Sequence, residues 1–186
     1  YMGMGEPLLN YRNVIKSIHF ITSSEGLEMS YKRVTLSTSG IAKMIKRLAD
    51  DNVKVNLALS LHAASEELRN SIMPIGGSNS LDDIRDALKY YFSKTKRKVT
   101  YEYVLLNEVN DSIKDAENLY KFTKHIPSKV NLIEYNTVDG LGFDRSSDIN
   151  TDLFMNYLDA KRVNVGLRRS RGKDINAACG QLANKK

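Results

Sequence analysis

The sequence predicts an α/β fold built on parallel strands, and two observations carry the prediction. Short apolar segments alternate with amphipathic helical patterns along the chain, so that each helix is the crossover returning the chain to the next parallel strand. Three of the strand segments also divide into one apolar face and one small or polar face. Parallel strands covered by helices on both sides should be apolar throughout. A divided strand fits a barrel whose interior holds a polar ligand, or an edge strand facing water.

The elements follow in order. Tyr1 and Met2 read as the last residues of a strand, Gly3 and Gly5 as the corner after it, and Glu6 as the lone acid there. Residues 11–23 carry Val14, Ile18 and Ile21 at helical spacing. Residues 33–37 read as a strand, with Val34 and Leu36 on one face and Thr35 and Ser37 on the other. Ile41, Met44, Ile45 and Leu48 form one stripe of a helix over 41–49. Residues 53–62 alternate Val53, Val55, Leu57, Leu59 and Leu61 against Lys54, Asn56, Ala58, Ser60 and His62. A helix starts near Ser65, and another at Ser80, where Asp83 completes a capping signal. Residues 98–105 form a strand with Thr100 and Glu102 opposite Tyr101 and Tyr103. Asn110, Asp111 and Ser112 cap a helix running to His125. Residues 129–135 are a strand, 139–150 a long loop, 151–161 a helix, 163–168 a strand and 174–184 a last helix.

With 186 residues, 41% hydrophobic and 27% charged, the chain has the length and composition of one folded domain. No apolar run approaches the roughly 18 residues that span a bilayer. One cysteine excludes an internal disulfide framework, fits a reducing compartment, and cannot by itself hold an iron–sulfur cluster. The net charge of +6 is concentrated at the end. Residues 161–186 hold eight basic residues and one acid, whereas the preceding 160 balance to −1. The chain thus divides into a core of about 1–160 and a basic segment of about 161–186. Such a segment is the footprint of a polyanion-binding surface, or a solvated basic face.

In parallel α/β folds ligands meet the C-terminal ends of the strands. Those ends here are Gly5 and Glu6, Ser37 to Gly40, Ser60 to His62, and Tyr135 and Asn136. Their hydroxyls, glycine backbone, carboxylate, imidazole and amide suit a zwitterionic, hydroxyl-rich small molecule. Glu6 can accept from an ammonium; the serines and Asn136 can bond a carboxylate or ribose. Each has a plainer reading: Ser37 to Gly40 as a helix cap, His62 as a strand end, Asn136 as a turn residue. Cys179 follows Arg168, Arg169, Arg171 and Lys173, whose charge would favour thiolate, although a lone cysteine is also a common small core residue.

Read together, Gly3-Met-Gly-Glu-Pro-Leu-Leu-Asn10, Thr38-Ser-Gly40, Ser60-Leu-His-Ala63, Tyr103-Val-Leu-Leu running into Val109-Asn-Asp-Ser112, Asn131-Leu-Ile-x-Tyr-Asn136, and Arg168 to Leu182 resemble the RlmN family of radical S-adenosylmethionine RNA methyltransferases. The matching strings occur in family order over nearly the whole chain. A sibling family that methylates carbon 8 of the same adenine is similar, and Pro7 favours the carbon-2 family. The resemblance implies a partial parallel (β/α)₆ barrel whose first strand lies upstream. It implies S-adenosylmethionine contacts at Gly5, Glu6, Ser37, Ser60, Leu61, His62 and Asn136, and a methyl-carrying thiol at Cys179. RNA contacts would fall on Arg168, Arg169, Arg171 and Lys173.

In the implied mechanism Cys179 is methylated by one S-adenosylmethionine. A second is cleaved by a [4Fe–4S] cluster to a 5′-deoxyadenosyl radical, and the methyl-derived radical adds to carbon 2 of an adenine in 23S rRNA; the resemblance leaves tRNA open as a further substrate. The cluster cysteines (CxxxCxxC) and the resolving cysteine are expected upstream of Tyr1, so the chain alone is expected to be an inactive fragment. Glu134 and Thr137 stand where the family would have proline. The same resemblance implies an electron donor for the cluster, a monomer and a cytoplasmic location. Competing readings are a non-catalytic RNA-binding module and a phosphate- or sugar-handling barrel. The second lacks a P-loop, a His-Glu-x-x-His pair or a Gly-x-Gly-x-x-Gly loop.

Overall fold

The computed structural model describes residues 1–3, 5–73, 79–136 and 142–168. Five strands, β1 (Thr35–Thr38), β2 (Asn56–Ser60), β3 (Val99–Leu105), β4 (Ser128–Glu134) and β5 (Val165–Arg168), form one sheet in the order β1-β2-β3-β4-β5. Every neighbouring pair is parallel. The helices are α1 (Tyr11–Thr22), α2 (Ala42–Asp50), α3 (Glu66–Ile72), α4 (Leu81–Thr95), α5 (Ile113–Thr123) and α6 (Asp148–Ala160). Right-handed crossovers taken in sequence order place successive helices on the same side of such a sheet. No helix among the described residues is long and apolar enough to cross a membrane.

The divided strands explain the layering. Leu36, Leu57, Leu59, Tyr101, Tyr103 and Leu132 are buried together in the core with the helix stripes. Those stripes are Ala42, Ile45 and Leu48 on α2, Ile84, Ala87 and Leu88 on α4, and Leu119 and Phe122 on α5. Tyr101 meets Phe122 edge-on at 5.8 Å, and Tyr103 meets Phe154 of α6 at 5.4 Å. The opposite face carries Ser37, Ser60, Glu102, Asn131 and Arg168. The register sets Ser60, Glu102, Asn131 and Gly166 in one row across four strands.

Local chemistry fixes the ends. Ser80 with Asp83 and Ser112 with Asp115 form reciprocal capping boxes at the starts of α4 and α5, and Ser147 caps α6. Gly40 turns the chain from β1 into α2 at φ +105°, and a Cβ there would lie 2.7 Å from Ile84 Cδ1. Only glycine fits both the dihedral and the approach. Tyr1 donates its amino group to the Thr35 carbonyl (2.8 Å) and accepts from the Ser37 N–H (3.1 Å), the two-bond pattern of a parallel neighbour on the free edge of β1.

Several boundaries differ from the sequence expectation, among them the starts of β1, β2 and β5 and the end of the long loop. β1 and β2 begin at Thr35 and Asn56, two to three residues late, because Tyr31–Arg33 form a 3₁₀ turn and Val53 and Val55 enter the core before the ladder begins. Their apolar alternation continues off the strand because burial, not pairing, dictates it. The expected loop over 139–150 ends early, since the Ser147 cap starts α6 at Asp148. The helix expected over 174–184 lies outside the described residues.

Candidate functional site

A cavity of about 740 Å³ opens at the C-terminal ends of the strands. Gly5, Glu6, Ser37, Ser60, His62 and Glu102 all contribute to its wall, and Arg168 at the end of β5 joins them. The structure therefore brings five of the seven expected cofactor contacts to one space. Leu61 is different: its side chain is fully buried in the core, and only its backbone faces the strand-end network. Asn136 lies two residues beyond β4, is buried, and is not among the residues lining the cavity. Arg168, expected among the RNA contacts, is the exposed last residue of β5 and lies at the cavity wall. Cys179, Arg169, Arg171 and Lys173 lie outside the described residues.

The wall is held by backbone-directed side chains. The Glu6 carboxylate accepts from the Ser39 N–H and the Ser39 hydroxyl at Oε2, both at 2.7 Å, and from the Leu8 N–H at Oε1, at 3.0 Å. An ionised carboxylate offers about four lone-pair directions. Glu6 thus spends most of its capacity tying the glycine corner to the end of β1, and keeps little for the ammonium expected from sequence. Ser37 Oγ and Ser60 Oγ lie 3.4 Å apart.

Behind them sits Arg69 of α3, 1% exposed. Its Nε donates to the Leu61 carbonyl at 3.2 Å, and its Nη2 donates to the carbonyls of Ser39 and Ser60. Burial lowers its pKa and Glu66 opposes that shift; an arginine starts so high that it remains charged.

His62 occupies the left-handed region at φ +59°. Val104 N–H donates to its Nδ1 at 3.1 Å. Nδ1 is therefore the unprotonated nitrogen of the neutral ring, and Nε2 carries the hydrogen. Burial, followed by the charge of Arg69, pulls its pKa down to about 4. Asn110 clamps this bend, donating to the His62 carbonyl (2.7 Å) and the Val104 carbonyl (2.8 Å) and accepting from the Leu106 N–H (2.7 Å). Sequence reasoning placed Asn110 in a helix cap. The cap belongs to Ser112, and Asn110 is a buried strand-end clamp. Arg69 was missed, because an arginine beside Glu66 and Glu67 reads as an exposed ion pair on a short helix. Among the described residues no three His, Cys, Asp or Glu side chains converge to hold a metal ion.

Comparison with known proteins agrees with the resemblance seen in the sequence. The family model described as the Radical SAM superfamily matches residues 1–122. A protein of Flavobacterium psychrophilum named "Probable dual-specificity RNA methyltransferase RlmN" is 56% identical over 185 residues, covering 100% of this chain and 53% of the relative. The "Dual-specificity RNA methyltransferase RlmN" of Nautilia profundicola is 44% identical, covering 100% of this chain and 52% of its own length. The chain spans about half the length of these curated relatives. The crystal structure of a radical SAM methyltransferase from Sphaerobacter thermophilus superposes with a TM-score of 0.93 at 39% identity, over 97% of this chain and 53% of that one.

The depressed pKa of His62 gives a pH test. In the unfolded chain the imidazole protonates near 6.5, whereas in the fold it stays neutral down to about 4. Between these values the unfolded state binds the extra proton, so stability falls as pH falls, by up to about 3 kcal/mol. Urea unfolding of the chain from pH 7.5 to 4.5 should show this decline. The decline should be smaller in His62→Gln, whose amide oxygen can still accept from Val104. An identical pH dependence in the two proteins would contradict the assignment.

Proposed function

The chain belongs to the radical SAM superfamily, and on that premise we propose that it is the cofactor-binding and thiol-bearing part of an RNA methyltransferase. The reaction we assign is methylation of carbon 2 of an adenine in 23S rRNA, with tRNA as a further substrate. The observation that carries the reading is the convergence of Gly5, Glu6, Ser37, Ser60 and His62 on one strand-end cavity, the positions that the family resemblance implies for S-adenosylmethionine. The names of the relatives supply the RNA substrate class. A partial (β/α)₆ barrel is supported by the sequential parallel order, the polar inner row and the ladder bonds of Tyr1 beyond β1.

The residues fit a bound S-adenosylmethionine. The cavity is roomy and polar on one side, and Glu102 Oε2 is a buried acceptor without a hydrogen-bond partner among the described residues. When bound, S-adenosylmethionine supplies the methyl group and, with the superfamily's reduced iron–sulfur cluster, the power to abstract hydrogen. The described residues contain no ligand set for that cluster.

The chain's own groups bind and orient. His62 presents an Nε2–H donor from a bend held by Asn110. Ser37 and Ser60 offer hydroxyls, and Glu6 keeps the glycine corner closed on β1. We read Asn136 as a further cofactor contact reached when the site is occupied, and Leu61 as contributing backbone alone. Cys179 is the proposed methyl carrier, in a basic C-terminal segment (about 161–186) that follows the core. Arg168, Arg169, Arg171 and Lys173 would neutralise RNA phosphate and favour the thiolate. An electron donor, a monomeric protein and a cytoplasmic location complete the reading.

Two measurements on the whole methyltransferase test it. Cys179→Ala should abolish methyl transfer to RNA while S-adenosylmethionine binding and the melting temperature hold; measurable transfer by this variant would end the thiol assignment. Arg168→Ala with Arg169→Ala should weaken RNA binding and flatten its salt dependence by roughly one unit of slope per lost phosphate contact. Unchanged RNA affinity at low salt would make the two arginines structural.

A further inference from the structure

We propose that Glu102, and not Glu6 alone, is an anchoring carboxylate of the cavity, its Oε2 receiving an N–H or O–H donor of bound S-adenosylmethionine; the proposal rests on the cofactor reading above. Glu102 sits mid-strand on the inner face of β3, is 5% exposed, and lines the cavity. Its two oxygens differ. Oε1 accepts from Asn131 Nδ2 at 2.9 Å on the neighbouring strand. Oε2 is buried and has no hydrogen-bond partner among the described residues. None of the ion pairs among those residues includes Glu102.

A buried carboxylate oxygen without a donor is costly, because it has given up water and received nothing in return. Such a group at a cavity wall is a site awaiting a donor. Glu6 makes the contrast: both of its oxygens are already engaged by the protein.

The surroundings favour a ligand as the missing partner. The register row runs Ser60, Glu102, Asn131, Gly166, so the position beyond Asn131 carries no side chain. A Cβ at Gly166 would meet nothing nearer than Lys129 Cε, at 4.0 Å. The inner face beside the Glu102–Asn131 pair is thus left open. Asn131 fixes the carboxylate in orientation by holding Oε1, which leaves Oε2 for the incoming group. S-adenosylmethionine is cationic at its sulfonium and ammonium, and a charge-assisted bond to a buried carboxylate is about twice as strong as a neutral one. Its donors are the ammonium and the ribose hydroxyls, and the chemistry at Oε2 is the same for either.

The test compares the chain with its Glu102→Gln variant in two measurements. Calorimetric titration with S-adenosylmethionine should show affinity falling about 10-fold or more, the loss of one charge-assisted bond. Titration with 5′-methylthioadenosine, which lacks the amino-acid portion, separates the donors. An equal loss there identifies a ribose hydroxyl, and an unchanged affinity identifies the ammonium. Melting of the ligand-free proteins is the second measurement. The variant should melt at the same temperature or higher, because the amide removes an unpaired buried charge. Equal S-adenosylmethionine affinities would show that no ligand donor reaches Oε2 and overturn the proposal. A lower melting temperature for the ligand-free variant would also overturn it, since the carboxylate would then serve the fold. Absence of binding by the unsubstituted chain would fail the cofactor reading itself, and the melting comparison would still decide whether Glu102 is structural.

Discussion

The Arg69 guanidinium holds the working end of this fold together. Where parallel strands run out, their last carbonyls lose the next ladder partner, and a buried carbonyl must find another donor. At the ends of β1 and β2 those carbonyls belong to Ser39, Ser60 and Leu61, and one side chain from α3 satisfies all three. A guanidinium suits the task because its planar fork directs several donors at once. The consequence passes outward. Ser39, held from behind by Arg69, holds Glu6 from the front, and Glu6 holds the glycine corner. Leu61, held by the same cation, sets the start of the bend that carries His62.

Asn110 does for β3 what Arg69 does for β1 and β2. Its amide bridges His62, Val104 and Leu106, so the imidazole is locked between two strand ends and kept neutral by burial. The cavity thus combines a buried cation behind its wall, carboxylates at Glu6 and Glu102, a neutral donor at His62 and an exposed cation at Arg168. On the proposed reading Glu102 Oε2 and the His62 Nε2–H serve the cofactor, whereas Arg168 at the rim serves RNA phosphate. The rigidity lies in residues that touch the backbone, and the binding capacity in those left over.

Much of the fold was legible in the sequence because it depends on periodicity. The stripe through Ile45 and Leu48 and the Ser80–Asp83 cap are local patterns and appear where the spacing predicts, whereas the two-faced segment expected over 53–62 forms a strand only over Asn56–Ser60. The strand ends were legible as a group because parallel topology gathers them at one end. The roles within the group were not. Glu6 reads as a free acid, yet Ser39, 33 positions away, consumes it. Arg69 reads as a surface residue, yet folding delivers it beneath two strand ends. Asn110 is two residues from a real cap, and local sequence cannot separate a cap from a clamp. Asn136 and Leu61 share the right addresses, but the direction of a side chain at a strand end is set by the exit of the chain, which no periodicity encodes.

The central claim is that the strand-end cavity is the S-adenosylmethionine site. Amide chemical shifts of the ¹⁵N-labelled chain, followed during titration with S-adenosylmethionine, address it directly. Saturable shifts should concentrate at Gly5, Glu6, Ser37, Ser60, Leu61 and His62, with Glu102 and Arg168 among those that follow. Shifts confined to the opposite end of the strands, around Lys98, Lys124 and Arg162, or no saturable shifts at all, would contradict the account.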